Sequence, residues 1–155
     1  MTEPKATNFK PRDPDWKARC LAAFEKQPIA KSLGISLATL EPGFCEMRLP
    51  FQPELTQQHG FFQAGIVAML ADNAGGWAAY TLMPPKSEVL AVEFKINLMA
   101  PAKGDEMIAR ARVVKSGRTL TIVSIDVSML DGGREVECAL MQQTCIAILD
   151  SGKGG

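Results

Sequence analysis

The stretch QQHGFFQAGIVAMLADNAGGWAAYTLM, residues 57–83, decides the fold of this chain. It begins as a polar loop that contains glycine and continues as an apolar segment, which predicts about five turns of helix. Pro84 and Pro85 follow the segment and end the helix, because proline has no backbone N–H to extend it. The sequence therefore predicts a long buried helix at the centre of the molecule, with a loop before it.

Asp72 is the one carboxylate in this helix. At about 100° per residue it lies on a stripe of small residues with Gly65, Ala68, Gly75 and Ala79. Most charges in such helices simply meet solvent or a buried partner. The segment has no other Asp, Glu, Lys or Arg, and an unpaired carboxylate buried among alanines is costly. Asp72 is therefore a candidate site residue, on a face that a ligand or a second backbone can approach closely.

Charge and hydropathy limit the possible partners. The apolar segment has the length of a membrane span, but its three glycines, its Asp and its Asn favour the interior of a soluble fold. The 17 basic and 17 acidic residues balance, so no overall field attracts nucleic acid or an anionic membrane. We expect neither nucleic acid nor membrane as a partner.

The cysteines and the N-terminus indicate the compartment. The four cysteines form no CxxC pair and the chain has a single histidine, so no zinc site of the usual spacing is possible and we expect no metal and no cofactor. The first residues lack the hydrophobic core of a signal peptide. We therefore expect reduced cysteines and a cytoplasmic location.

The 155 residues fit one domain. We predict a flexible arm over residues 1–12, a single domain over 13–150 and a tail over 151–155. Asp13 followed by Pro14 predicts the start of a first helix that ends near residue 27, with a short second one over 28–33.

The rest of the chain alternates as β-strands do. The last three strands are joined by short turns and form an antiparallel meander. In the strand that follows the central helix, Leu90, Val92, Phe94, Ile96 and Leu98 alternate with mainly polar residues, which predicts one half-buried face. The predicted strands are 35–40, 44–49, 90–98, 107–115, 119–129 and 134–149. The predicted fold is α+β, a long central helix wrapped by a curled antiparallel sheet, with an N-terminal helical extension.

This layout resembles, over residues 30–148, the hotdog-fold acyl-CoA thioesterases of the PaaI (phenylacetic acid thioesterase) type. Members carry the motif NxxGxxHGG and, nine residues after its histidine, an Asp in the central helix. If His59 and Gly60 were the family's His-Gly, Asp72 would be thirteen residues away, and this alignment fails.

A second alignment keeps the family spacing. It places Gln63, Ala64 and Gly65 on the His-Gly-Gly of the family, so that Asp72 follows nine residues after Gln63 and Gln57 stands at the family's Asn. The family histidine is then replaced by glutamine.

Three further positions follow from this alignment. Gly60 takes the place of the loop glycine, and His59, the only histidine, becomes a loop or pocket-lining residue and not the family base. Ala91 stands where some relatives carry a water-binding Ser.

The resemblance implies thioester hydrolysis. Backbone N–H groups of Ala64 and Gly65 at the start of the helix would form the oxyanion hole, with a side-chain donor or a water held by Gln57. Asp72 would be general base or nucleophile, and the sequence leaves both open.

The resemblance also implies a homodimer and leaves open a dimer of dimers. Gly65 and Asp72 are seven residues apart, about 10.5 Å along one helix, so one chain does not easily place both against one carbonyl. The family solution takes the N–H donors from one subunit and the Asp from the other.

Coenzyme A would enter only as part of an acyl-CoA substrate. Lys115 and Arg118 flank the Ser116-Gly117 turn, and the resemblance makes this turn a contact for the nucleotide phosphates. With Gln63, His59 and Gly60 they form the predicted substrate-binding set.

Two alternatives remain open at this point. The missing histidine and serine favour a hotdog module that binds acyl-CoA without turnover. Hydration or dehydration of acyl thioesters would keep the fold, but His59 is poorly placed for it. No GxSxG, GxGxxG or GxxxxGK[ST] motif occurs, so other catalytic classes have no support.

Overall fold

The computed structural model describes residues 8–149. The predicted tail over 151–155 and the first seven residues of the predicted arm lie outside this range. The helices and strands, with one 3₁₀ turn at Pro53–Leu55, are α1 Trp16–Glu25, α2 Pro28–Leu33, β1 Ser36–Glu41, β2 Phe44–Pro50, α3 Ala64–Tyr80, β3 Ser87–Leu98, β4 Glu106–Ser116, β5 Leu120–Asp131 and β6 Arg134–Leu149.

The six strands form one antiparallel sheet in the order β1-β2-β4-β5-β6-β3. The sheet curls around α3, which contacts strands across its inner face. The predicted fold class is confirmed: a long central helix wrapped by a curled antiparallel sheet, with α1 and α2 as an N-terminal helical extension. No helix within residues 8–149 is both long enough and apolar enough to span a membrane.

The first helix begins later than the sequence predicts. Asp15 and not Asp13 is its N-cap, because residues 13–16 form a separate turn in which the Trp16 N–H donates to the Asp13 carbonyl at 3.3 Å. The Asp13 side chain accepts from the Asp15 N–H at 2.9 Å and pairs with Arg19 at 2.7 Å. The helix therefore begins at Trp16. Arg19 also donates to the Tyr80 carbonyl at 3.3 Å, which ties α1 to the end of α3.

The predicted single half-buried face of β3 is wrong. The pairing of β3 with β6 shifts between Ala91 and Glu93, so Val92 is an extra residue, a β-bulge, that reverses which side chains face inward. Leu90, Val92 and Phe94 are 48, 51 and 49% exposed. The strand therefore leaves apolar side chains uncovered on both of its faces.

Candidate active site

Gln63 caps the start of α3. Its Oε1 accepts a hydrogen bond from the Gly65 N–H at 2.5 Å, which satisfies one of the N–H groups that every helix start leaves unpaired. Within residues 8–149 the Ala64 N–H donates to no protein acceptor. Of the two predicted oxyanion donors, one is therefore open and the other is already engaged.

The loop before α3 is closed by its own hydrogen bonds. The Gln57 N–H donates to the Phe61 carbonyl at 2.8 Å and the Gly60 N–H to the Gln57 carbonyl at 3.0 Å. Gly60 has φ +80°, a conformation that favours glycine. The Gln57 Oε1 accepts from the His59 N–H, so the amide nitrogen is the free end of the Gln57 side chain.

A cavity of about 510 Å³ opens at the start of α3, and we name it the helix-start cavity. It brings together two predicted catalytic residues, Gln57 and Ala64, with the apolar side chains of Phe61, Leu98 and Met99. The predicted substrate-binding residues of the loop do not line it. These are Gln63, His59 and Gly60.

Asp72 lines a second, smaller cavity of about 190 Å³, the Asp72 cavity, with Val89, Ala91 and Gln143 among its other walls. The Gln143 Nε2 donates to the Asp72 Oδ1 at 2.6 Å. Burial raises the pKa of Asp72 above the ordinary aspartate value, and the hydrogen bond from Gln143 opposes that rise. Oδ1 is thus held, and Oδ2 has no hydrogen-bond partner within residues 8–149.

The sequence did not predict two glutamines that line the Asp72 cavity. Gln143 belongs to the inner face of β6 with Met141 and Cys145, so period-two alternation gave a usable signal for it. Gln27, between α1 and α2, donates from Nε2 to the Asn73 Oδ1 at 2.6 Å. Nothing in the sequence indicated that the N-terminal extension reaches this cavity.

Ala91 lines the Asp72 cavity because the bulge at Val92 sets which residues of β3 face α3. The position that carries a hydroxyl in some relatives therefore presents a methyl group beside the carboxylate.

The turn between β4 and β5 lies apart from both cavities. Lys115 and Arg118 are exposed and line neither. Arg12 donates to the Gly117 carbonyl at 2.6 Å and to the Ser116 Oγ at 3.3 Å. A third cation therefore holds the turn that carries the two predicted nucleotide contacts.

Taken together, a single chain places the candidate site groups in two separate cavities. The helix-start cavity has a backbone donor and an apolar wall but no carboxylate, and the Asp72 cavity has a carboxylate but no free backbone donor from a helix start. In the described part of the chain, no three His, Cys, Asp or Glu residues are grouped to hold a metal ion.

Comparison with known proteins gives the family. The model of the thioesterase superfamily matches residues 59–136. A Saccharolobus solfataricus protein that is named provisionally as an esterase is 33% identical over 115 residues, 74% of each chain. Human acyl-coenzyme A thioesterase 13 is 33% identical over 97 residues, which are 61% of this chain and 67% of that protein.

Solved structures agree on the architecture. A thioesterase family protein from Silicibacter pomeroyi is 41% identical and superposes with a TM-score of 0.85, covering 87% of this chain and 99% of that one. The PaaI protein of the E. coli phenylacetic acid degradation operon, at 21% identity, shares the fold with a TM-score of 0.77 over 86% of this chain and 94% of its own. Because the family model spans half of the chain and these relatives match most of it, the protein belongs to the thioesterase superfamily and is a hotdog-fold thioester hydrolase.

Proposed function

We propose that the protein is an acyl-CoA thioesterase whose active site is shared between two protomers. The observation that carries this proposal is the separation within one chain of the open Ala64 N–H and the Asp72 carboxylate into different cavities. A relative named acyl-coenzyme A thioesterase supports the substrate class.

The donor half of the reaction lies at the start of α3. The Ala64 N–H points out at the positive end of the helix, where developing negative charge on the thioester carbonyl oxygen is stabilised. The free amide nitrogen of Gln57 adds a second donor to the same cavity or orients the water. The Gly65 N–H joins them only if the Gln63 side chain moves away.

The carboxylate half is Asp72. As general base its Oδ2 takes a proton from water while the water oxygen attacks the carbonyl carbon, and the proton then passes to the departing coenzyme A thiolate. As nucleophile Oδ2 attacks the carbonyl itself, expels the thiolate and forms an anhydride that water hydrolyses. Both routes need the ionised carboxylate.

β3 supports the placement of the two halves in different protomers. Among residues 8–149 it is the last strand of the sheet and pairs only with β6, which leaves its other edge for pairing with a second copy. Its first part lines the Asp72 cavity with Val89 and Ala91, and its end lines the helix-start cavity through Leu98. Antiparallel pairing of β3 with its twofold copy would therefore set each Asp72 cavity beside the partner's helix-start cavity.

The nucleotide would bind away from the reacting carbon. Lys115 and Arg118 are the cations that we assign to the phosphates of coenzyme A, on a turn that Arg12 holds from its other side. A chain without net charge needs such a local patch for a polyanionic substrate.

A second candidate is an acyl-CoA-binding module without turnover. It is favoured by the Gly65 N–H that Gln63 already occupies and by the methyl of Ala91 beside Asp72. Release of free thiol from a panel of short, medium, long and aromatic acyl-CoAs separates the two. Binding of these esters without thiol release would establish the module instead.

Mixed dimers test the shared site. Asp72→Asn removes the carboxylate, and Ala64→Pro removes the open N–H at the first helical position, where proline is well tolerated. If the halves come from different protomers, each heterodimer of the co-expressed tagged variants has one of its two sites intact. About half of all dimers are heterodimers, so the activity of the mixture returns to about a quarter of wild type. If the two inactive variants stay inactive when mixed, both groups belong to one protomer. If light scattering shows that the active protein is a monomer, the dimer is excluded.

A further inference from the structure

Gln143 contacts Asp72 twice. Its Nε2 donates to the Asp72 Oδ1 at 2.6 Å and to the Asp72 main-chain carbonyl at 3.2 Å. Gln143 is 1% exposed, on the inner face of β6. A single buried amide therefore fixes both the side chain and the backbone of the one carboxylate of α3.

Gly75 makes room for this amide. A Cβ at Gly75 would lie 2.0 Å from the Gln143 Oε1 and 3.1 Å from the Ile125 Cδ1, far inside contact distance. The missing side chain thus lets β6 approach α3 one turn beyond Asp72. By contrast, a Cβ at Gly76 would meet nothing within 4 Å.

The orientation of the amide is determined by its surroundings. Gln143 Oε1 is buried and has no hydrogen-bond partner in the described chain, which is a cost to folding. Turning the amide over would place that oxygen against two oxygens of Asp72 and leave the nitrogen without an acceptor. The observed orientation leaves the Gln143 Oε1 without a partner and lets Nε2 donate to two oxygens of Asp72.

We infer that Gln143 is a positioning residue for the reaction: it holds Oδ1 of Asp72 and leaves Oδ2 as the single oxygen that acts on the substrate or on water. This inference rests on the proposed function of Asp72. It adds a residue that touches neither the thioester nor the nucleotide and acts only through the carboxylate.

The same contact sets the proton affinity of Asp72. The other groups that line the cavity are uncharged and come from the α1–α2 connection, α3 and β3: Gln27, Asn73, Gly76, Trp77, Val89 and Ala91. On β6, burial and then the charge of Asp72 raise the pKa of the Cys145 thiol to about 12. The thiol is therefore neutral. Within residues 8–149 no cation lines the cavity, and the hydrogen bond from the Gln143 amide is what opposes the rise that burial causes in the pKa of Asp72.

The test replaces Gln143 by Met, which has similar length and no donor. We expect the acidic limb of the kcat/KM profile to move to higher pH, and kcat/KM in the mildly acidic range to fall roughly ten- to a hundredfold. Carbon-13 NMR of the Asp72 carboxyl should show its titration midpoint moving the same way. The matched control is Gln142→Met, on the outer face one residue away, which should keep both midpoints of the wild type.

The outcomes separate the inference from the proposed function. If Asp72→Asn is inactive but Gln143→Met and Gln143→Leu both keep the wild-type acidic limb and carboxyl midpoint, Gln143 is merely structural and the inference fails while the proposed function stands. If Asp72→Asn keeps full activity, the proposed function fails and takes the inference with it. If Gln143→Met does not fold, Gln143→Leu carries the same two measurements.

Discussion

The two cavities along α3 differ in volume and in the polar groups that line them. The helix-start cavity is the larger, about 510 Å³ against 190 Å³, and its polar groups are donors. The Asp72 cavity is small, and its carboxylate is held by a buried amide. One is suited to bind a carbonyl oxygen and an acyl chain, and the other to supply a base or nucleophile.

The difference is the reason for the proposed partner. A single α3 carries both proposed halves of the chemistry but holds them apart, so in the proposed dimer two helices in opposite directions would complete two sites at once. β3 lines both cavities, and it leaves apolar side chains uncovered at a free edge of the sheet. Substitutions can remove the chemistry of either cavity, the proposed contact between protomers, or the cations that lie apart from both cavities.

The largest effect should come from β3 itself. The double variant Leu90→Lys, Val92→Lys places two charges on side chains that are half exposed in the single chain and that do not share the inner face with Gln143, so the fold should persist while pairing with a second copy is blocked. We expect a monomer in light scattering and loss of thioesterase activity to background, because both sites lose one half.

The control for this variant is the other edge of the sheet. Ser36→Lys with Ala38→Lys adds the same charges to exposed positions of β1, and we expect it to keep the dimer and the activity. A β3 variant that remains dimeric, or a β1 variant that dissociates, would move the interface elsewhere.

Asp72→Asn removes the carboxylate alone. Activity should fall about 10²- to 10⁴-fold, the usual contribution of a positioned base. The stability of the fold should rise while the activity falls. Because burial raises the pKa of Asp72 in the folded state, ionisation disfavours folding, and the asparagine variant should have the higher Tm at neutral pH.

The pH dependence checks the sign of this effect. The stability difference between Asp72→Asn and the wild type should shrink as the pH falls through the raised pKa of folded Asp72 toward the ordinary aspartate value of about 3.9, because below that value both the folded and the unfolded forms are protonated. Calorimetry over pH 4–8 measures it. A variant that is less stable than the wild type at pH 8 would show that the ionised carboxylate supports the fold.

Ala64→Pro tests the other cavity. Gln63 already has the extended backbone, φ −64° and ψ 140°, that a following proline requires, so only the N–H is lost. We expect kcat to fall about 10²- to 10³-fold with an unchanged Tm. Ala64→Ser keeps the N–H and should keep the activity, and equal loss in both variants would point to the side chain instead.

Much of this architecture was readable from the sequence, because it rests on local chemistry. Two prolines ended α3, Gly34 ended α2 with φ 68°, and glycine turns separated the strands. Asp72 was conspicuous as a lone charge among small residues. The resemblance to the family motif placed Gln63 at the start of the helix, where it is the N-cap.

What the sequence could not show depends on register and on distant contacts. The bulge at Val92 shifts β3 by one residue, and no local pattern announces it, yet it decides that Ala91 lies beside Asp72. The Gly65 N–H is engaged by a glutamine that the family alignment had placed among the substrate contacts. Gln143 and Gln27 reach Asp72 and Asn73 from 71 and 46 residues away, beyond any motif.

The smallest effect is expected from the turn that lines neither cavity. Lys115→Ala with Arg118→Ala removes two exposed cations, and exposed charge pairs contribute little each, so KM for acyl-CoA should rise about two- to tenfold with kcat unchanged and the difference should shrink in high salt. Arg134→Ala, at an exposed cation on the β5–β6 turn at the opposite end of β5, is the control and should leave KM unaltered. A fall in kcat for the double variant would mean that nucleotide binding at this turn also orients the thioester between the two cavities.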